Sequence, residues 1–431
     1  MITSSVVNNT FLRERNLSSV LNYVFYHKAK AFRAKLATQV GLNKSTASSL
    51  VQELIERDLL RETGKNSARE IGRPATFLEV NPQAGFIIGV DLSVDFISVL
   101  ITDFSGQALW DRKFPIDSKI ILAVAIAKML ELVKEAMAVC EEKNNRILGL
   151  GLAVPGLVDT NEETLIYAPR FNWRDVSLRK ILAESTGLLE IFIENDANAA
   201  TLGEHIYGVA HETGDFIFVF IGKGIGSGLF LNGKLYRGRN GYAGEIGHLP
   251  IIAEPFHNLC DCGNLGCWET YANEDTILNR TNARLEKKRN TIISSLMAEQ
   301  HAPLSISILK QAADAGDQES LEIFSEAGEA IGIGIAGLIN IFNPDKVIVG
   351  GPISISGNHL LPAIINSIKK HTLPDLNQNV EILLSEFGGD AVVIGAIATV
   401  TNQILLTPTI VERRCPLGEK EYNDILNVVS D

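Results

Sequence analysis

Three cysteines within eight residues, Cys260, Cys262 and Cys267, follow two histidines, His248 and His257. Thiolates and imidazoles gathered this closely are the ligand types of a tetrahedral zinc ion. One nitrogen and three sulfurs fill its four positions and leave none for a reacting water, so the expected ion is structural zinc. Spacing leaves the nitrogen open between His248 and His257. A second polar group, Glu194-Asn195-Asp196, ends the apolar run Ile191-Phe192-Ile193. In open α/β sheets that end of a strand is where ligands bind. The turn Gly222-Lys223-Gly224-Ile225-Gly226-Ser227-Gly228 is a third candidate. Its backbone N–H groups could approach a phosphate, or its glycines could simply relieve a tight β-turn.

The elements that must position these groups lie in residues 83–403, where strand-like apolar runs alternate with helical patterns. That alternation predicts an α/β architecture. Residues 86–91 and 97–102 read as consecutive strands, 124–139 as a helix, and 148–156 as a buried strand ending in a turn. A second half opens at 216–221 with the same order of strand, glycine-rich turn and strand. Two related lobes, about 83–205 and 206–403, are expected around a cleft, with residues 404–431 as a tail.

Residues 1–82 read differently. Leu12, Leu17, Val20, Leu21, Val24 and Phe25 follow the 3.6-residue period of an amphipathic helix. A short helix over 33–40 stops at Gly41, a residue suited to the tight turn of a helix-turn-helix. Asn43 or Ser45 can cap the next helix. That helix turns Ala47, Leu50, Val51, Leu54 and Ile55 inward, and it presents Lys44, Ser45, Thr46, Ser48, Ser49 and Gln52. Short hydroxyl and amide side chains with one cation suit a helix lying in the major groove. Strands at 59–63 and 75–80 flank a basic loop at 64–74, the pattern of a winged helix whose Arg69 and Arg73 would reach the minor groove.

Charge separates the two parts. The 431 residues hold 39 Lys+Arg and 51 Asp+Glu, a net of -12. Residues 1–75 carry 12 basic and 6 acidic residues, a net of +6, so the other 356 carry a net of -18. A basic reader of DNA on an acidic body follows. The ordinary apolar content of 46% and the five cysteines exclude a disordered chain and a disulfide scaffold. No stretch approaches the ~18 consecutive apolar residues of a membrane span, and the first residues lack the pattern of a secretory leader. A cytoplasmic protein with reduced thiols and no membrane partner is expected.

Several motifs resemble those of the ROK family of repressors and sugar kinases, which is built on an actin-like ATPase fold. They are the stretch from Ile221 to His248, with Gly238, Gly244 and Gly247, and the Cys-x-Cys-Gly-x-x-Gly-Cys-x-Glu run from Cys260 to Glu269. The likeness spans about residues 12–401, and the winged helix places it among the regulators. Gly41-Leu42-Asn43-Lys44-Ser45-Thr46, Gly72-Arg73-Pro74, Asn172-Trp173-Arg174-Asp175 and Gly266-Cys267-Trp268-Glu269 look most like xylose-operon repressors. The resemblance implies His248, Cys260, Cys262 and Cys267 as zinc ligands. It also implies sugar contacts at Gly156, Asn172, Asn195, Asp196, Glu245, His248 and Glu269.

In kinases of this kind, the residue matching Asp196 is the base that takes the sugar hydroxyl's proton. Their first phosphate turn reads Asp-x-Gly-Gly-Thr, whereas this chain has Asp91-Leu92-Ser93-Val94-Asp95, and Lys223 replaces the usual Thr of the second turn. Phosphoryl transfer depends on cradled phosphates, so ATP is not expected as a cofactor. Asp196 would act as a base only if kinase activity persisted. Gly350-Gly351 and Gly388-Gly389 match the adenosine region, where glycine turns serve equally well as plain connections. The expected function is a homodimeric, sugar-responsive repressor of a carbohydrate operon, with xylose first and glucose second as effector. An ATP-dependent sugar kinase is the alternative, and a regulator that docks a phosphotransferase protein is a third reading.

Overall fold

The computed structural model describes residues 9–27, 31–65, 76–117, 119–143, 146–251, 258–287, 291–377 and 379–408. Leu17, Val20, Leu21, Val24 and Phe25 form the buried stripe of α1 (Asn9–Tyr26). Next come β1 (Ala31–Phe32), α2 (Arg33–Gln39), α3 (Lys44–Glu56), β2 (Leu60–Lys65) and β3 (Thr76–Val80). Gly41 turns the chain between α2 and α3 at φ +68°, where a Cβ would be strained. The side-chain oxygen of Asn43 accepts from the Thr46 N–H at 2.8 Å and settles the cap of α3. The sheet order is β1-β3-β2, so the expected hairpin gains a third strand. Two-residue β1 is too short to leave a periodic signal in the sequence.

The first lobe contains β4 (Phe86–Leu92), β5 (Phe96–Asp103), β6 (Ala108–Pro115), α4 (Leu122–Glu142) and β7 (Ile147–Val154). A small antiparallel sheet of β8 (Leu157–Asp159), β9 (Thr164–Ala168) and β10 (Trp173–Val176) follows. The lobe then continues with α5 (Leu178–Thr186), β11 (Ile191–Asn195) and α6 (Asp196–Ile206). Its main sheet runs β11-β7-β4-β5-β6. The second lobe contains β12 (Phe216–Ile221), β13 (Ile225–Leu231) and β14 (Lys234–Tyr236), then α7 (Glu269–Ala272), α8 (Glu274–Leu285), α9 (Ile292–Gln300), α10 (Ile306–Asp314) and α11 (Gln318–Phe342). It is completed by β15 (Lys346–Gly350), α12 (Gly357–His371), α13 (Pro374–Asn377) and β16 (Glu381–Leu384), in sheet order β14-β13-β12-β15-β16. In each lobe three antiparallel strands are extended by two parallel ones. The two lobes are therefore topological repeats, as the sequence order suggested.

The boundary between lobes differs from the expected one. Helix α14 (Ala391–Leu406) leaves the second lobe and packs on the first. Glycines permit the approach: a Cβ on Gly151 would lie 2.1 Å from the Ala396 carbonyl oxygen, and one on Gly395 would lie 2.2 Å from the Ala199 carbonyl carbon. Gly226 and Gly228, expected in the turn, belong to β13, where the missing Cβ of Gly228 admits Thr201 of α6. Residues 388–406 are apolar and long enough to cross a membrane, but their burial on several sides marks a core helix. One apolar cluster runs without a break from Leu17, Val20 and Phe25 of α1 to Ile206, Ile404 and Leu405. At ~1.5–3 kcal/mol per fully buried large side chain, this contact docks the winged helix on the body.

Candidate effector and metal site

A cleft of about 400 Å³ lies between the lobes. Of the seven expected sugar contacts, Gly156, Asn195, Asp196, Glu245, His248 and Glu269 line it. Asn172 does not. It sits in a left-handed turn at φ +54° with its side chain exposed. Gly156 has φ +113°, and a Cβ there would meet the Tyr167 carbonyl oxygen at 2.3 Å. Asn195 ends β11 and caps α6 by accepting from the Asn198 N–H at 3.1 Å, while its amide donates to the Gly156 carbonyl at 3.0 Å. That cap aims Asp196, the first residue of α6, into the cleft.

The cleft collects acids. Burial lifts Asp196 to about 6, against hydrogen bonds from Ala197 and Asn195 that favour the charged form. Glu245 is lifted to about 7 by desolvation and by the charges of Asp196 and Glu269, although 42% of its side chain is open to the cleft. Asp91 is pushed to about 8, chiefly by burial, and its Oδ2 has no partner among the described residues. Groups of this kind accept from, and when protonated donate to, neutral hydroxyls. They repel phosphate.

The ligand atoms of His248, Cys260, Cys262 and Cys267 lie within 4.8 Å of one another. A zinc tetrahedron with Zn–S of about 2.3 Å and Zn–N of about 2.0–2.1 Å has S–S edges of about 3.8 Å and S–N edges of about 3.6 Å. Cys262 Sγ stands 3.8 Å from Cys267 Sγ, and Cys260 Sγ stands 3.6 Å from His248 Nδ1. The donor set and these two edges fit zinc. Nδ1 faces the thiols, and Nε2 turns toward Glu245 Oε2 at 3.8 Å. His257 lies outside the described residues. Glu269 joins the metal cluster to the cleft: Oε1 accepts from Cys260 Sγ at 2.8 Å and Oε2 accepts from the Ile225 N–H at 3.4 Å. Trp268, fully buried against Gly334, anchors this loop on α11 and donates to the Ala330 carbonyl at 3.0 Å.

In each turn where kinases cradle phosphate, one backbone donor closes the turn on itself. The Ser93 N–H goes to the Phe96 carbonyl at 3.0 Å, and the Gly222 N–H goes to the Gly224 carbonyl at 3.0 Å. Lys223 Nζ is held by Asp275 Oδ1 at 2.9 Å, with Glu274 Oε2 at 3.8 Å. Arg170, which the sequence reading passed over, reaches from the β9–β10 turn across the cleft mouth to Asp275 Oδ2 at 3.2 Å and to the Lys223 carbonyl. Its partners lie far along the chain, so no local spacing signals it.

The sequence profile of the ROK family matches residues 87–403. The chain belongs to the ROK family. It is 32% identical over 406 residues to the xylose repressor of Caldicellulosiruptor bescii, covering 93% of this chain and 99% of that protein. Among solved structures, a ROK-family transcriptional regulator, a homologue of the Escherichia coli MLC protein, superposes with a TM-score of 0.78 at 27% identity, covering 93% of this chain and all of that one. A ROK-family glucokinase from Streptomyces griseus in complex with glucose and AMPPNP superposes at 0.65 with 28% identity, covering 74% of this chain and all of that one. The N-terminal module of residues 9–80 precedes the matched ROK region.

In this ROK protein α3 exposes Lys44, Ser45, Ser48, Ser49 and Gln52, with Thr46 half-buried. Several are already engaged inside the module. Ser45 donates to Asn43 Oδ1 at 2.7 Å, Gln52 donates to Glu56 at 3.2 Å, and Ser48 Oγ accepts from Arg33 at 2.9 Å. Arg13, Arg33, Arg57 and Arg61 form ion pairs with glutamates of the module. Arg15, Lys35 and Lys44 have no ion pair among the described residues. Arg69 and Arg73 lie outside the described residues.

Proposed function

We propose that the protein is a sugar-responsive transcriptional repressor, with a neutral sugar in the cleft as effector and operator DNA on the winged helix. The cleft carries this reading: six hydrogen-bonding positions converge there, and the two cations at the adjacent turns, Lys223 and Arg170, are already paired with Asp275. Asp196, Glu245 and Glu269 accept sugar hydroxyls, and Asn195 and the His248 Nε2 add further polar contacts. A site of this kind rejects analogues that lack the matching hydroxyl, because its polar groups would then be left unpaired. A zinc ion held by His248, Cys260, Cys262 and Cys267 would supply fixed geometry to the loop bearing Glu269. The relatives support xylose as the sugar and an operon for its use as the target. Lys44, Ser45, Thr46, Ser48, Ser49, Gln52, Arg69 and Arg73 contact DNA in this reading, and a homodimer in the cytoplasm reads paired half-sites. Sugar changes operator affinity to the extent that it binds the two states unequally.

The test uses DNA selected from a random-sequence pool by the full-length protein. D-xylose should raise the melting temperature and lower affinity for that DNA, with D-glucose as the comparison. Failure of both sugars to do either overturns the reading. The kinase alternative rests on Asp196 alone, and sugar-dependent ADP release abolished by Asp196→Asn would establish it instead.

A further inference from the structure

Two residues outside the cleft hold its two sides together. Glu194 is 3% exposed and precedes Asn195 and Asp196 on β11. Its Oε2 accepts from Arg237 Nε at 3.0 Å and Nη2 at 2.6 Å, and its Oε1 accepts from the Asn195 N–H at 3.1 Å and Asn198 Nδ2 at 3.3 Å. Both carboxylate oxygens are thus fully engaged, which a buried charge requires. Arg237 follows β14 of the other lobe, and its carbonyl accepts from the Ala243 N–H at 3.1 Å, two residues before Glu245. The segment from Arg237 to Glu245 turns through Gly238, Gly241 and Gly244, all at positive φ, and Ser227 Oγ holds its far end by donating to the Gly244 carbonyl at 3.0 Å. One ion pair therefore connects the strand end that presents Asn195 and Asp196 to the segment that presents Glu245. Neither Glu194 nor Arg237 lines the cleft.

We infer that Glu194 and Arg237 are positioning residues of the effector site, setting the distance between Asp196 on one lobe and Glu245 on the other so that one sugar meets both. The inference rests on the sugar-site reading above. Arg is needed because two nitrogens of a rigid plane close on one oxygen, a geometry that a lysine ammonium does not reproduce. A lysine still keeps the charge and should restore part of the function.

Calorimetric titration of the full-length zinc-loaded protein with D-xylose and D-glucose tests this. Arg237→Met is expected to raise the Kd of the bound sugar at least tenfold, with the binding stoichiometry, zinc content and sugar-free operator affinity unchanged. Arg237→Lys should fall between. General damage would instead lower the stoichiometry and operator binding together, and that result would overturn the inference. So would wild-type affinity in a folded Arg237→Met protein. If Arg237→Met does not fold, the neutral pair Glu194→Gln with Arg237→Gln is titrated, with the same tenfold loss expected and wild-type affinity again overturning the inference. A wild-type protein that binds neither sugar overturns the sugar-site reading and this inference with it, whereas binding by the wild type and by the variants alike overturns this inference alone.

Discussion

The side-chain amide of Asn22 on α1 donates to the carbonyl of Leu405, in the last turn of α14, at 3.0 Å. Ser18, one turn earlier on α1, donates to the same oxygen at 2.7 Å, and Arg57 reaches the Pro408 carbonyl just beyond. The last carbonyls of a helix have no partner inside it, and here the N-terminal module supplies the partners. At its other end α14 brings Val392 to the cleft. Sixteen residues at 1.5 Å each make a rod of about 24 Å between sensor and reader.

Removing these bonds should uncouple the two ends. With Ser18→Ala and Asn22→Ala combined, D-xylose should bind as in the wild type while its effect on operator affinity shrinks. Two hydrogen bonds at about 1 kcal/mol each set an upper bound of about thirtyfold on the loss in coupling. Operator titrations with and without sugar measure that factor, and an unchanged ratio would show that α14 does not transmit the signal.

Metal removal should act on the sugar side. Cys262→Ser, or exhaustive chelation, takes one ligand or the ion from a cluster that fixes His248 and the Glu269 loop. Zinc content and sugar Kd should shift together, and the winged helix, remote from the cluster in sequence, should keep its sugar-free DNA affinity. Full sugar affinity in a zinc-free protein would refute the supporting role.

The acids of the cleft give a pH dependence with a defined sign. Burial pushes Asp91 up to about 8 in the folded protein, against 3.8 for a free aspartate. Between those values the folded state holds a proton that the unfolded chain has released, so stability falls as pH rises through the window and the cost is complete above about 8. Asp91→Asn should flatten that slope and raise the melting temperature at pH 8 more than at pH 4. Asp196 behaves the same way between 3.8 and about 6. Its protonation removes an acceptor, so sugar affinity should weaken as pH falls below about 6, and titrations across pH 5–8 would reveal it.

Much of this architecture is legible in the chain. The 3.6-residue stripe of α1, the Gly41 turn and the Asn43 cap are local signals, and they predicted the module within a few residues. The Cys260–Cys267 run named its own chemistry, but its spacing did not choose between His248 and His257, because ligand geometry depends on where the loop folds back. Arg170, Glu194 with Arg237, and Asn22 with Leu405 are pairings across 43 to 383 positions, and no periodicity encodes them. Asn172 shows the reverse: a residue matched by motif stands exposed outside the cleft. The net of +6 says nothing of which cations stand unpaired, and the structure pairs Arg13, Arg33, Arg57 and Arg61 with glutamates of the module.

Two glycines separate close approach from mere flexibility. A Cβ on Gly151 would lie 2.1 Å from the Ala396 carbonyl oxygen and 2.9 Å from its carbon, both backbone atoms of α14 that cannot rotate away. Gly151→Ala should therefore push α14 off the sheet and cost at least the ~1–3 kcal/mol typical of overpacking. Because α14 also reaches α1, the same variant should weaken the sugar's effect on operator binding. Gly337 lies inside α11, where a Cβ would meet nothing within 4 Å. Gly337→Ala should stabilise by about 0.5–1 kcal/mol, the helix-propensity gain of alanine over glycine. Denaturant titrations of the two variants should move in opposite directions. A stable Gly151→Ala protein with unaltered coupling would mean that α14 does not need its contact with β7.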